Sequence, residues 1–111
     1  MPHNARPAYE LKANLFRVLG HPARVRILEL LRNGERSVGA LQAELGLDSG
    51  GTSQHLSALR RIGLVESRRA GTSVFYRVAD EHAFDLLAAG RAIISRRLVE
   101  QQSVLEDLET T

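Results

Sequence analysis

Apolar positions along the chain recur at helical spacing in five blocks, and they alternate in one short stretch between the fourth and the fifth. The first block predicts a helix from about Ala8 to Leu19, with Leu11, Leu15, Val18 and Leu19 apolar, Phe16 beside them and Gly20 at its end. The second follows in HPARVRILELLRNGE. Pro22 suits the first helical position, where its missing N–H is of no consequence, and His21 occupies the cap. Ala23, Ile27, Leu30 and Leu31 form the inward stripe there, widened by Val25 and Leu28, and Asn33-Gly34 closes the helix.

The third and fourth blocks lie in LQAELGLDSGGTSQHLSALRRIGL and predict a helix-turn-helix. Ser37 caps the shorter helix, whose Val38, Leu41 and Leu45 share a face at i, i+3 and i+7. Gly46 stands where a helix stops in the left-handed conformation, and Leu47 plugs the turn. Asp48 or Ser49 then caps the second helix, which turns Thr52, Leu56 and Leu59 inward. Its other face carries Ser53, Gln54, Ser57 and Arg61, flanked by His55 and Arg60. Hydroxyls, an amide and arginines on an exposed helix suit a major groove, so this is the expected DNA-reading helix. Ser49 and Thr52 at its start join the candidates for contact.

Alternation then replaces the helical period. After Gly63, the segment from Leu64 to Arg69 predicts a strand, Ala70-Gly71-Thr72 a tight turn, and the segment from Ser73 to Val78 a second strand. A hairpin directly after a reading helix is a wing. Arg68 and Arg69 lead into its tip and Thr72 and Ser73 leave it, groups suited to phosphates and a minor groove.

The fifth block predicts a long helix, capped near Asp80 and running towards Leu108. Positions 84, 87, 91, 94, 98, 101, 105 and 108 step by three and four in alternation and hold Phe84, Leu87, Arg91, Ile94, Leu98, Gln101, Leu105 and Leu108. That is the seam of a helix pair, and so small a domain offers no obvious cover for it. The expected dimer interface therefore comprises Phe84, Leu87, Arg91, Ile94, Leu98 and Leu105, with Leu11 and Leu15 of the first helix. Gly90 inside the helix marks a close backbone approach.

Composition narrows the function. With 111 residues, the chain suits one small domain, expected over 8–109 after a flexible arm at 1–7 that holds two of its prolines. The absence of cysteine removes disulfides, thiolate metal sites and Cys nucleophiles. No apolar run approaches a membrane span and the N-terminus lacks an apolar signal core, so the expected location is the cytoplasm, with no membrane partner. The net charge of +2 is unevenly placed. Residues 1–79 carry twelve basic and six acidic groups, whereas residues 80–111 carry three and seven. Five arginines against one glutamate fall between His55 and Arg77. A basic centre with an acidic terminal helix fits one face for nucleic acid and another for something else.

The order helix, helix, helix-turn-helix, wing, helix resembles the ArsR (ArsR/SmtB) family of bacterial winged-helix repressors. The similarity rests on LGHPARVRILELL at 19–31, LGLDSGGTSQHLSALRRIGLV at 45–65 and RRAGTSVFYRV at 68–78, and it covers about residues 9–100. The middle motif is the specific one, with Ser53-Gln54-His55-Leu56 matching the family's Ser-x-His-Leu helix. The resemblance implies a mainly α winged helix-turn-helix of order α-α-α-α-β-β-α, a homodimer through first and last helices, and operator binding that an effector relieves.

Two features depart from the family pattern. Metal-sensing members carry cysteines on the helix before the turn, where this chain has Ser37-Val38-Gly39-Ala40-Leu41. Others bind zinc on the last helix. Asp80-Glu81-His82 matches half of that site, but Ile93 and Arg96 stand where the other half belongs. No metal site and no cofactor are therefore expected. The second departure is Gly50-Gly51, which weakens the first turn of the reading helix by roughly 1 kcal/mol per residue. That helix is expected either to begin late, near Thr52, or to order its start only on DNA.

The function these features imply is that of a sequence-specific double-stranded DNA-binding regulator. It would be a homodimeric repressor on an imperfectly palindromic operator, released by an unidentified effector for which a small molecule is one candidate. A winged-helix protein-interaction module is the alternative, and would show acidic or apolar groups on the reading face. No enzyme is expected, because His3, His21, His55 and His82 are scattered without a nucleophile or a phosphate loop. Single-strand binding is disfavoured because the basic face lacks interleaved aromatics.

Overall fold

The computed structural model describes residues 6–110; the greater part of the expected arm at 1–7, with His3, lies outside them. Helix α1 spans Ala8–Leu19 and α2 spans Pro22–Leu30, continued by a 3-10 turn at Leu31–Asn33. A short strand β1 (Arg36–Ser37) leads into α3 (Val38–Leu45), and α4 covers Ser49–Arg61. Strands β2 (Val65–Ala70) and β3 (Ser73–Val78) precede α5 (His82–Thr110). The chain divides into two compact units, the first ending at Glu81 and the second beginning at His82.

Helix ends in the first unit follow local chemistry. His21 is extended at φ −124° and its side chain accepts from the Ala23 N–H, one of the donors a helix start leaves over. Ser37 accepts from Ala40 N–H and Asp48 from Gly51 N–H. Gly46 closes α3 at φ 66°, in the left-handed region that a side chain would disfavour. Leu47 is the exception: at 36% exposed it only partly plugs the turn.

The helix-turn-helix and the wing share one core. Ile27 and Leu28 of α2, Leu41 of α3, and Leu56 and Leu59 of α4 are fully buried. Leu30, Leu31, Leu64, Val65 and Tyr76 are buried around them. Leu28, expected only to widen the stripe of α2, is as deeply buried as Ile27. The inward stripe read for α4 is the one observed, Thr52 included.

The sheet has three strands in the order β1-β3-β2, all antiparallel neighbours. Its third strand corrects the expected order, in which a lone hairpin followed four helices. Arg36 pairs with Tyr76 and Ser37 with Phe75, so the residues entering α3 complete the sheet. A two-residue strand has no alternation to display, and its partners lie far along the chain.

Helix α5 begins at His82, two residues after the expected cap at Asp80. Ile93, Ile94, Leu98, Val99, Val104, Leu105 and Leu108 along it are all exposed, between 48% and 70%. Phe84 and Leu87, nearer its start, are half-buried, and Arg91 is exposed.

Candidate nucleic-acid interface

The glycine pair at the head of α4 does not delay the helix. It begins at Ser49, so the expected late start near Thr52 falls. The Asp48 carboxylate reaches the Gly51 N–H at 2.6 Å, and a Cβ on Gly51 would stand 3.0 Å from that same carboxylate oxygen. The charge-assisted bond, at the positive end of the helix, offsets the low helical propensity of the pair.

Behind this cap, Thr52 is fully buried and its hydroxyl donates to the Asp48 carbonyl at 2.9 Å. It stiffens the turn and has no surface to offer DNA, which removes it from the candidate contacts. Ser49, Ser53, Gln54 and Ser57 are exposed along the outward face. Arg61 joins them, its Nε donating weakly to the Ser57 carbonyl at 3.4 Å. Arg60 turns to the wing and donates to Ser67 at 3.3 Å.

His55 differs from its neighbours. It is half-buried, and its Nδ1 accepts from Arg24 Nε at 3.1 Å. Its ring lies against His21, with centroids 4.2 Å apart. Partial burial, then the nearby His21 and Arg24, hold its imidazole below the ordinary histidine pKa of 6.5. It faces the interior junction of α2 and α4 more than the outside face.

The wing is a β2–β3 hairpin closed by Gly71-Thr72, with Gly71 at φ 62°, as a two-residue turn with glycine first requires. Arg69, Thr72 and Ser73 are exposed at the tip, and among the described residues Arg69 has no ion-pair partner. Arg68 has one. Its Nε and Nη2 donate to the two Glu35 oxygens at 2.7 and 2.6 Å. Its guanidinium also stands 4.7 Å from the centre of the Phe75 ring, its partner across the strands. Arg77 pairs with Glu66, again directly across the hairpin.

Glu35 was not legible as a site residue, since only tertiary structure brings it to a side chain 33 positions away. The Arg68 fork holds its carboxyl below the usual range and is itself held protonated. Because the depressed form is the charged one, the clamp is intact above pH 4.5 and is lost only as pH falls through the lowered value. Arg68 is therefore anchored in mid-strand, and Arg69 is the arginine left to reach outward. We expect Glu35→Gln to release Arg68 and to strengthen binding to arbitrary duplexes. The slope of log affinity against log salt should steepen by about 0.9, the increment of one more phosphate contact. An unchanged slope in a fluorescence-anisotropy salt titration would mean that Arg68 reaches phosphate already, or never does.

Among the described residues no three His, Asp or Glu side chains are grouped as a metal would need, and no helix is long and apolar enough to cross a membrane.

The model of the arsR family of bacterial regulatory proteins matches residues 21–67, from the cap of α2 into β2. The HTH-type transcriptional regulator Rv0081 of Mycobacterium tuberculosis is 48% identical over 103 residues, which are 92% of this chain and 90% of that protein. Its crystal structure matches with a TM-score of 0.79 at 45% identity, covering 87% of this chain and 98% of the other. The biofilm growth-associated repressor of Agrobacterium fabrum is 41% identical over 91 residues, 78% of either chain. The solution structure of the homodimeric winged helix-turn-helix DNA-binding domain of Mb0332 from Mycobacterium bovis matches with a TM-score of 0.72 at 32% identity, over 85% of this chain and 92% of that one.

Proposed function

We propose, because this chain belongs to the arsR family of bacterial regulatory proteins, that it is a homodimeric transcriptional repressor acting on double-stranded operator DNA in the cytoplasm. In this reading residues 8–109 serve as one DNA-binding and dimerisation domain and carry no catalysis. Ser49, Ser53, Gln54, Ser57 and Arg61 enter the major groove, while Arg60, Arg69, Thr72 and Ser73 meet the backbone and the adjoining minor groove. One observation carries the proposal: the outward face of α4 is polar, uncharged at its centre and free of carboxylates, beside a wing with an outward arginine at its tip. An interaction module would have no use for that combination.

Two copies give the site its reach. Leu11 of α1 and the exposed apolar stripe of α5 supply the pairing surface, with Leu15, Phe84, Leu87, Arg91, Ile94, Leu98 and Leu105 in it. Two reading helices related by a two-fold axis contact half-sites about one helical turn apart, so the operator is an imperfect palindrome. An effector then acts by favouring an arrangement whose spacing does not fit.

The test begins with a random-sequence duplex pool from which the protein enriches its own site. Gln54→Ala is expected to relax preference at one base step in each half-site. An amide pairs bidentately with adenine, and the loss is about 1–3 kcal/mol of discrimination. If the enriched sequences of Gln54→Ala and wild type are the same, Gln54 reads no base. If the wild-type protein enriches nothing, the operator reading fails altogether.

A further inference from the structure

Arg24 ties three helices together. It lies in the first turn of α2, its Nη1 donates to the Val18 carbonyl of α1 at 3.2 Å, and its Nε donates to His55 Nδ1 on α4 at 3.1 Å. Behind His55 the His21 ring stands 4.2 Å away, its own Nδ1 accepting from the Ala23 N–H at 3.1 Å. Both Nδ1 atoms are acceptors, so each ring presents a lone pair there.

A directional bond adds to what the inward stripe of α4 fixes. Burial of Thr52, Leu56 and Leu59 is non-directional, and such a surface tolerates small rotations about the helix axis. Recognition of base edges needs placement to about 0.5 Å and 10–20°. A hydrogen bond is directional, and His55 adjoins Gln54 in the same turn. From this we infer that Arg24 is the positioning residue of the reading helix: its bond to His55 sets the rotation of α4 and so aims Gln54 and Ser57. The inference rests on the operator reading above.

It carries a pH signature. Protonating His55 puts an N–H where Arg24 needs a lone pair, and a cation beside a guanidinium. The groups facing His55 are Arg24 from α2 and His21 from the cap of that helix, and both oppose its charging. Arg61 of α4 lines the same groove as Arg24, together with the uncharged Asn14 and Val18 of α1. The folded state thus disfavours the charged imidazole. The arrangement is fully present above the ordinary value of 6.5 and is lost as pH falls through the depressed one. Generic electrostatics runs the other way, since added positive charge strengthens binding to any DNA at acid pH.

The experiment uses the full chain, a duplex enriched by the wild type, and a scrambled duplex of equal length. The quantity read is the ratio of the two affinities. Arg24→Met keeps the apolar stem and loses both bonds; its ratio at about pH 7.5 is expected to fall roughly tenfold, the scale of a charge-assisted bond. In the wild type the ratio falls as pH is lowered from about 7.5 through the depressed value of His55, below 6.5, while affinity for the scrambled duplex rises. His55→Asn retains an acceptor but cannot titrate, so it keeps the ratio at both pH values. In the free protein, the Arg24 Nε–H NMR signal is protected from exchange at neutral pH in wild type and His55→Asn.

A wild-type ratio that is flat with pH, or an Arg24→Met protein with the wild-type ratio, overturns the inference. Should Arg24→Met fail to fold, His55→Asn decides alone, and acid loss persisting in it is the overturning result. If no duplex is enriched, the operator reading falls and this inference with it; an enriched duplex with an Arg24-independent ratio overturns this inference only.

Discussion

Leu98→Glu is expected to leave the protein monomeric and to weaken operator binding by about a hundredfold or more, the scale on which joining two binding modules raises avidity. Leu98 is 60% exposed in the single chain, as is Ile94 one turn before it, and Leu105 and Leu108 continue the stripe at 48% and 70%. An apolar stripe this long on one helix is what a partner chain would cover. A carboxylate in its middle must be desolvated on pairing, with Glu100 and Glu106 adding like charge on the same helix. The fold of the first unit should survive, because position 98 is outside it. Val99→Glu is the matched control. Val99 is 68% exposed but sits about 100° further round the helix, off the stripe, and its substitution should leave the dimer in place. Light scattering gives the mass, a gel shift the affinity. A well-folded Leu98→Glu dimer with normal operator binding would place the interface elsewhere.

Leu56→Ala should cost the folded state about 2–5 kcal/mol, a large share of the roughly 5–15 kcal/mol that holds a domain of this kind together. Leu56 is fully buried, as are Ile27 on α2, Leu41 on α3 and Leu59 on α4, so truncation leaves a cavity in a core with little room to close it. At about 4–8 °C per kcal/mol the melting temperature should drop by more than 8 °C, compared at equal protein concentration because dimers melt by mass action. Ser57→Ala, one residue on and outward, should stay within about 0.5 kcal/mol. The contrast separates the two faces of α4: the inner one sets stability, the outer one recognition. A Leu56→Ala protein that loses less than about 1 kcal/mol in calorimetry would show that the core relaxes around the site.

Local chemistry carried much of the fold. Apolar spacing placed every helix, since the burial of one face is written into the period of the residues that form it. Caps at His21 and Ser37 were readable because a cap bonds to a backbone N–H two or three residues on, and the structure chose Asp48 over Ser49 for α4. Gly46 and Gly71 were readable because the conformations they adopt are barred to other residues. The outward face of α4 was legible for the same reason as its inward stripe, and only Thr52, small and polar but buried, was ambiguous between them.

What chain order could not reveal is whatever depends on partners distant along it. Strand β1 exists because Tyr76 and Phe75 offer it a free edge, and nothing in Arg36-Ser37 announces that. The roles of the arginines were decided the same way. In sequence Arg24, Arg68 and Arg69 are interchangeable positive charges, but a guanidinium becomes an anchor when folding sets a carboxylate or an imidazole within its fork, and remains outward-reaching when it does not. Glu35 claims Arg68, His55 claims Arg24, and among the described residues no carboxylate claims Arg69. The start of α4 turned on a comparable point. Propensity alone weighs against Gly50-Gly51, yet the Asp48 carboxylate caps the Gly51 N–H and the helix begins at Ser49. Periodicity and capping are short-range and additive, so the amino-acid order determined the elements. Which polar groups meet is long-range and geometric, and only the tertiary structure decided it.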